Sequence, residues 1–432
     1  RAHGRKAQGG PASTPHMRQG GGGDGLAPPA PSRAANAVAR APSHAMSGSA
    51  RASKLALLRL AVTCGCLLRA CGGFRIATRY VLISSPSTSN IYYAHAQTFY
   101  EHTLPHDERP VATAQVLIDG KASRCKGYGC FEGTGEGLES PGALAVHEGD
   151  DGAVLYVADE AAKNIYAYNV FRSSFDWLDV SPQRRLRKGV VAKGLAVSSK
   201  GDLYYTTAGG GIEVLTADEL ARFAAINLRP TVGKMMSSLE PKPVTILGSD
   251  RGPALASPMG LAADSFFLYW TTLPADSSTG ILNRAPQRAS ADAAIAGLVG
   301  GGGEEAQIQA NDVCVARDNV FFTGGPRALY AVKMHGGVIA EVYANFSEPK
   351  GCAFDQDGTL YVADARENAV YSVPASLDYL RPIKYASKAI DVKAPGSVAI
   401  LRSSRLLRGG AAPRRLSAPL GVLVLAALLS RA

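Results

Sequence analysis

The chain has 432 residues, 46% hydrophobic and 19% charged, with a formal net charge of +10. That is apolar material enough for a large core and too little charge for a disordered polyelectrolyte. The charge is uneven: residues 1–54, 55–72 and 402–432 carry +7, +2 and +6, which leaves −5 for residues 73–401. A nucleic-acid binder wants a basic face on the folded body itself, so that function class is excluded as an expectation.

Residues 1–45 are rich in Gly, Ala, Pro, Ser and Arg and almost free of aromatics. They lack the apolar surface to order themselves. The segment reads either as disordered or as sequence upstream of a start at Met46. Residues 46–73 have the pattern of a secretory signal. Arg51 and Lys54 form a basic start, an apolar run over 55–68 is broken only by Arg59, and Ala70, Cys71, Gly72 and Gly73 are small enough for cleavage. The run is short for a bilayer span, and an uncleaved anchor is the other reading.

From residue 74 to 401 a two-part phrase recurs. Its first half, a small residue opening an apolar run, stands at Gly142-Ala-Leu-Ala-Val146, Gly194-Leu-Ala-Val197, Gly260-Leu-Ala-Ala263, Asp312-Val-Cys-Val315, Gly351-Cys-Ala-Phe354 and Gly396-Ser-Val-Ala-Ile400. Its second half, an aromatic run, stands at Tyr80-Val-Leu-Ile83, Leu155-Tyr-Val157, Leu203-Tyr-Tyr205, Leu268-Tyr-Trp270, Val320-Phe-Phe322 and Leu360-Tyr-Val362. Third runs follow at 90–93, 164–168, 328–331 and 368–371, and fourth runs at 114–118, 243–247 and 340–343. Short aromatic and β-branched runs bounded by Gly, Pro, Asn and Asp are strands.

Four strands per unit, at a spacing of roughly 40 to 65 residues, is the size of a propeller blade. The fold class is therefore all-β, a six-bladed β-propeller; a β-sandwich with chance similarity between strands is the rival. The first aromatic run has no partner before it and the last apolar run has none after it. Together they complete one blade, so the C-terminal inner strand closes the ring on the N-terminal blade. Pro141, Pro258, Pro349 and Pro395 precede the opening glycines, as expected at first residues of strands. The long unit between Gly194 and Gly260 includes a helix-like insertion over 218–226.

Beyond the ring, residues 402–432 form a basic linker and a hydrophobic tail. Gly409, Gly410 and Ala411, a spacer and the apolar run resemble a GPI-attachment signal. A tail anchor and an unstructured tail are the alternatives.

Of the seven cysteines, Cys64, Cys66 and Cys71 lie in the expected signal. Cys125 and Cys130 flank a turn-prone Lys-Gly-Tyr-Gly loop that a disulfide would staple in an oxidising compartment. Cys314 and Cys352 fall on inner strands of adjacent blades, offset by one position, and are expected as buried free thiols. No cysteine–histidine spacing suggests zinc. Asn345-Phe-Ser347 is a glycosylation sequon between two blades.

The stretch Glu136-Gly-Leu-Glu-Ser-Pro-Gly-Ala-Leu-Ala-Val146 with Leu155-Tyr-Val-Ala-Asp159 and Asn164-Ile-Tyr166 resembles an NHL repeat. Ser257-Pro-Met-Gly-Leu-Ala-Ala-Asp264 with Tyr269-Trp-Thr-Thr272 leans toward the related YWTD propellers, within the wider TolB-like group. The resemblance implies the six-bladed fold over about residues 75–401 and no single activity.

Propeller ligands sit where loops converge on the inner strands, so the residues to weigh are Glu139, Lys193, Met259, Asn311, Asp312, Lys350 and Pro395. Gluconolactonase-type propellers, which this chain resembles in fold, hold a divalent metal there through Glu and several Asn or Asp. Glu139-Ser-Pro141 and Asn311-Asp312 match that family's motifs, making Glu139 and Asn311 its implied metal ligands. Lys193, Met259 and Lys350 depart from them, and a hard cation (Ca or Zn under this reading) needs several oxygen ligands. A zinc lyase on an NHL propeller would need converging histidines from among His95, His102, His106, His147 and His335; His102 and His106 are expected off any helix because of Pro105.

Asp159 and Asp364 repeat in two blades, which suits a turn-holding role better than catalysis. Lys193 and Lys350 lie three blades apart, so with Asn311 they are placed to hold an anionic group at the channel mouth. The sequence thus points to a secreted or surface-anchored monomeric propeller, without a cofactor, that binds protein or glycan on an outer surface. Its membrane contact runs through the terminal segments only. A metal-dependent hydrolase is the alternative.

Overall fold

Each two-part phrase folds into the two innermost strands of one blade. The computed structural model describes residues 78–402 apart from 122–136, 150–151, 174–176, 228–239, 256, 273–280, 289–293, 300–307, 326 and 376–377. The expected signal, the tail and the Cys125–Cys130 loop lie outside the described residues. Among the described residues no helix is long and apolar enough to cross a membrane.

Six antiparallel sheets form the blades, and their inner strands touch one another in order around the ring. Blade 1 is ordered Val398–Arg402, Arg79–Ser85, Asn90–His95, Gln115–Asp119 from axis to rim. The last inner strand therefore pairs with the first strand, Ile400 opposite Val81, and closes the ring as expected. Blade 2 runs Pro141–Gly149, Gly152–Asp159, Asn164–Arg172, and its outer edge is shared by Leu178–Val180 and Arg184–Lys188. Blade 3 runs Leu195–Val197, Leu203–Thr206, Gly211–Leu215, Val244–Gly248, with the helix Ala217–Asn227 inserted before its outer strand. Blade 4 is Pro258–Ala263, Phe267–Thr272, Ile281–Pro286, Ala296–Val299. Blade 5 is Ala310–Ala316, Asn319–Gly324, Ala328–Lys333, Ala340–Tyr343. Blade 6 is Pro349–Phe354, Thr359–Asp364, Ala369–Pro374, Ser387–Asp391.

The core is a set of layers between neighbouring blades. Alternate side chains of a strand face opposite neighbours, so Leu82, Leu144, Leu155 and Tyr166 pack between blades 1 and 2, while Phe321, Leu329, Leu360 and Val362 pack between blades 5 and 6. Each fully buried aliphatic or aromatic side chain of this kind contributes roughly 1.5–3 kcal/mol. The aromatic of the second phrase thus serves the core: Tyr80, Tyr269, Trp270 and Tyr361 are all fully buried.

Two features were not legible in the phrase. Cys314 and Cys352 are not free thiols; they form a disulfide that joins the inner strands of blades 5 and 6 across 38 residues of chain. Their one-position offset is what an inter-strand bridge uses: Cys352 sits level with Val313, and both sulfurs enter the same interblade layer. The second feature is the segment between the third and fourth strands of blade 1, which crosses onto blade 6. There Ala112–Thr113 adds a fifth, parallel strand to Ser387–Asp391. The segment also forms a short helix, Phe99–Thr103, with a capping box between Thr98 and Glu101. Contrary to expectation His102 is helical; Pro105 acts only just past the helix end, leaving His106 outside it.

Candidate functional site at the channel mouth

The mouth is built by a repeated irregularity. In blades 2, 4, 5 and 6 the inner strand slips register against its neighbour, between Pro141 and Leu144, Pro258 and Leu261, Ala310 and Asp312, and Pro349 and Cys352. A bulge leaves residues out of the ladder and re-aims them. It falls on Gly142, Met259, Asn311 and Lys350, which are mouth positions.

Hydroxyls hold the bulged backbone. Gly260 N donates to Thr271 Oγ1 at 3.1 Å and Asp312 N to Thr323 Oγ1 at 3.3 Å, both within a blade. The same hydroxyls then donate across to the next blade, Thr271 to the Asn311 carbonyl at 3.1 Å and Thr323 to the Lys350 carbonyl. Ser84 does likewise in blade 1, accepting from Ser397 N at 2.8 Å and donating to the Gly142 carbonyl at 2.6 Å. Thr206 accepts from Gly194 N at 2.9 Å. Glycine is needed beside this ring because the strands abut: a Cβ on Gly194 would lie 2.3 Å from the Met259 carbonyl oxygen.

Asn311 and Asp312 are bound into the same stitching. Asn311 Nδ2 donates to the Pro349 carbonyl at 3.2 Å. Asp312 Oδ2 accepts from Cys352 N at 3.2 Å, so it ties blade 5 to blade 6 at the disulfide-bonded residue itself. Ser397 Oγ makes the equivalent bond, from Leu144 N, at the junction of blades 1 and 2. The Asp312 carboxyl keeps some access to the channel but is deep in the ring, and desolvation lifts its pKa to about 6 against two backbone donors that pull it down.

The cations of the mouth each have an acid beside them. Lys350 Nζ pairs with Glu348 at 2.9 Å, which holds the Glu348 carboxyl below its usual range. Lys193 acts on Glu160 through space, without an ion pair: burial raises the Glu160 carboxyl and that lysine draws it only partly back. Glu160 also covers Gly142, since a Cβ there would come 2.9 Å from its Oε1. Glu160 escaped the sequence reading. The signal was a difference between otherwise matching copies, Leu155-Tyr-Val-Ala-Asp-Glu160 against Leu360-Tyr-Val-Ala-Asp-Ala365.

Asp159 and Asp364 do the same work twice. Asp159 accepts from the backbone N–H groups of Glu139, Ser140 and Ala162 at 2.7, 3.0 and 3.1 Å. Asp364 accepts from Ser347, Glu348 and Glu367 at 2.6, 3.0 and 3.2 Å. Each clamps the loop into the inner strand to the hairpin turn of its own blade. Glu139 is thereby fixed by its backbone, and its side chain is exposed.

Below the mouth the channel is walled by the inner strands. A cavity of about 230 Å³ is lined by inner-strand residues, with Val146, Val197, Ala263, Val315 and Phe354 at equivalent positions. The histidines are scattered. His95 stacks on Tyr80, His106 stacks on Tyr385, His102 meets Thr359, His147 lies over Gly201, and His335 is exposed beyond the third strand of blade 5. Among the described residues no three His, Cys, Asp or Glu side chains gather as a metal site. The mouth residues do not suit a hard cation: Asn311 and Asp312 spend polar atoms on interblade bonds, Gly142, Met259 and Lys350 occupy the other bulges, and Lys193 stands at the equivalent position of blade 3.

No family model matches this chain. No curated protein matches it. Among solved structures, a streptogramin B lyase is 14% identical with a TM-score of 0.37, over 58% of this chain and 68% of its own. A gluconolactonase from Xanthomonas campestris is 13% identical with a TM-score of 0.39, over 60% and 78%. A regucalcin from Agrobacterium tumefaciens, a calcium-binding protein, is 12% identical with a TM-score of 0.38, over 60% and 77%. These figures mark distant likenesses and say nothing of shared chemistry.

Proposed function

We propose that the chain is a non-catalytic recognition propeller of the secretory pathway that binds a protein or glycan through its loop faces. One observation carries this reading: Asn311 and Asp312, the adjacent amide and acid at the mouth, are committed to holding blades 5 and 6 together. Asn311 serves Pro349 and Asp312 serves Cys352, while Lys193 and Lys350 stand beside Glu160 and Glu348. A mouth of mixed charge offers a partner several weak polar contacts, as a binding face does. The Cys314–Cys352 disulfide supports the secretory route, since such bonds persist in oxidising compartments.

The second reading, a metal-dependent hydrolase of the gluconolactonase type, rests on Glu139 with Asn311 and on Asp312, a carboxyl whose pKa burial raises to about 6. Calorimetry of the full chain with Ca²⁺ and with Zn²⁺ separates the two. The expected result is no saturable heat for either ion. Stoichiometric uptake that is lost in both Glu139→Gln and Asn311→Ala would establish the hydrolase reading instead.

A further inference from the structure

We infer that Asn345 is a site of N-linked glycosylation, on the loop face at the seam of blades 5 and 6. The chain contains one Asn-X-Ser/Thr tripeptide with X other than Pro, Asn345-Phe-Ser347. It lies in the connection between the outer strand Ala340–Tyr343 and the inner strand Pro349–Phe354. The fold treats its three residues differently. Phe346 is 1% exposed and packs edge-on against Tyr343 and Tyr371, and its backbone N–H donates to the Arg327 carbonyl at 3.1 Å. The Ser347 backbone is held by Asp364, and its hydroxyl donates to Glu367. With a buried anchor on one side, Asn345 is left exposed.

That geometry suits a bulky adduct. The sugar is attached to the chain before or during folding, so the folded loop must leave it room in solvent. Here the modified residue faces outward, and the packing that fixes the loop is made by its neighbour. In the transfer, the Asn345 side-chain nitrogen forms a bond to the anomeric carbon of an oligosaccharide carried on a lipid pyrophosphate. The sugar–pyrophosphate oxygen bond breaks, the lipid pyrophosphate leaves, and the amide proton passes to the transferase base. The inference rests on the secretory reading above, and the disulfide of the same two blades is the independent marker of that route.

The test is expression of the full chain in a eukaryotic host, with intact mass read before and after an amidase that removes N-glycans. The expected result is a discrete loss of mass on treatment. It should be absent from Asn345→Gln and from Ser347→Ala, and kept by Ser347→Thr, which preserves the tripeptide. Chain recovered from the medium with the Cys314–Cys352 bond formed but with Asn345 unmodified overturns this inference alone. Chain held in the cytosol with reduced thiols and no glycan overturns it together with the secretory reading.

Discussion

Blade 6 has two neighbours, and an apolar layer joins it to each, but what reinforces that layer differs. On the blade 5 side the seam is covalent and close: the Cys314–Cys352 bond, the Asp312–Cys352 and Asn311–Pro349 bonds, and an apolar layer around Phe321 and Leu360. On the blade 1 side, where the two ends of the ring meet, an apolar layer around Val81, Ile83, Tyr361 and Val370 is supplemented by a long set of polar and charged contacts, with no disulfide among the described residues. Arg79 pairs with Asp355 at 3.0 Å and Asp357 at 2.6 Å, Gln97 N donates to Tyr361, and Arg109 donates to Ser387 at 3.2 Å and to the His102 carbonyl at 2.7 Å. His102 meets Thr359 at 3.1 Å and His106 meets Ser387. Blades 5 and 6 follow each other in the chain and need only be locked. Blades 6 and 1 are distant in sequence, so their closure costs loop entropy that a single strand pairing must offset. The crossing segment with its extra strand supplies a second closure.

The comparison breaks first at the disulfide. Replacing both cysteines, Cys314→Ser with Cys352→Ser, should lower unfolding stability by about 4 kcal/mol, from the entropy of releasing a loop of this length. Denaturant titration of oxidised wild type against the double variant checks it; an unchanged midpoint would mean that the blade 5 seam does not depend on the bond. Next comes Asp312→Ala, which leaves the Cys352 N–H without its acceptor and should cost about 1–3 kcal/mol. Asp312→Asn keeps an acceptor and should lose less; an equal loss in both would point to packing as the cause.

The smallest effect is also the most discriminating, because acid should act on the two seams in opposite directions. Asp312 has its pKa raised from 3.8 to about 6, so between those values the folded state binds more protons than the unfolded, and acidification favours the fold there. His102 is lowered by burial and then by Arg109 and Arg79, against Asp355 and Glu101; His106 is lowered by burial and then by Arg109, against Asp107. For both, the unfolded state takes up protons first. Their contribution is present above the ordinary histidine value of about 6.5 and is lost as pH falls through the lower folded values. Hydrogen exchange at pH 7, 6 and 5, corrected for intrinsic rates, should show lost protection in Phe99–Thr103 and Ser387–Asp391 before Ala310–Ala316. Uniform loss across both seams would remove the distinction.

How much of this the sequence revealed follows from where the information lay. Inner and second strands were readable because they repeat a Gly–apolar and Leu–aromatic phrase, and both are buried on two sides, so residue type is tightly constrained. Outer strands are half-exposed, and Arg184-Arg-Leu-Arg-Lys188 carries charges where a strand pattern would show alternation. The helix Ala217–Asn227 was legible, within a residue at each end, from its acidic start and apolar spacing. The crossing of 96–113 to blade 6 was not, since its contacts are single polar bonds and a two-residue strand pairing to residues about 260 to 280 positions away. At the mouth, the positions were legible but their partners were not. Lys350 looked like a free cation because its acid, Glu348, is on the connecting loop, and Cys314 looked unpaired because the bond depends on three-dimensional register.

The closing strand has a mechanical consequence. Arg79 lies directly across the ladder from Arg402, so the two ends of the ring leave from neighbouring points on blade 1. Both are at the far end of the channel from Lys193 and Lys350, since Arg402 ends an inner strand, Lys193 precedes one and Lys350 lies at the start of another. Whatever the flanking segments are joined to, they grip the molecule by one handle, at one rim. A pull on either segment loads the same blade.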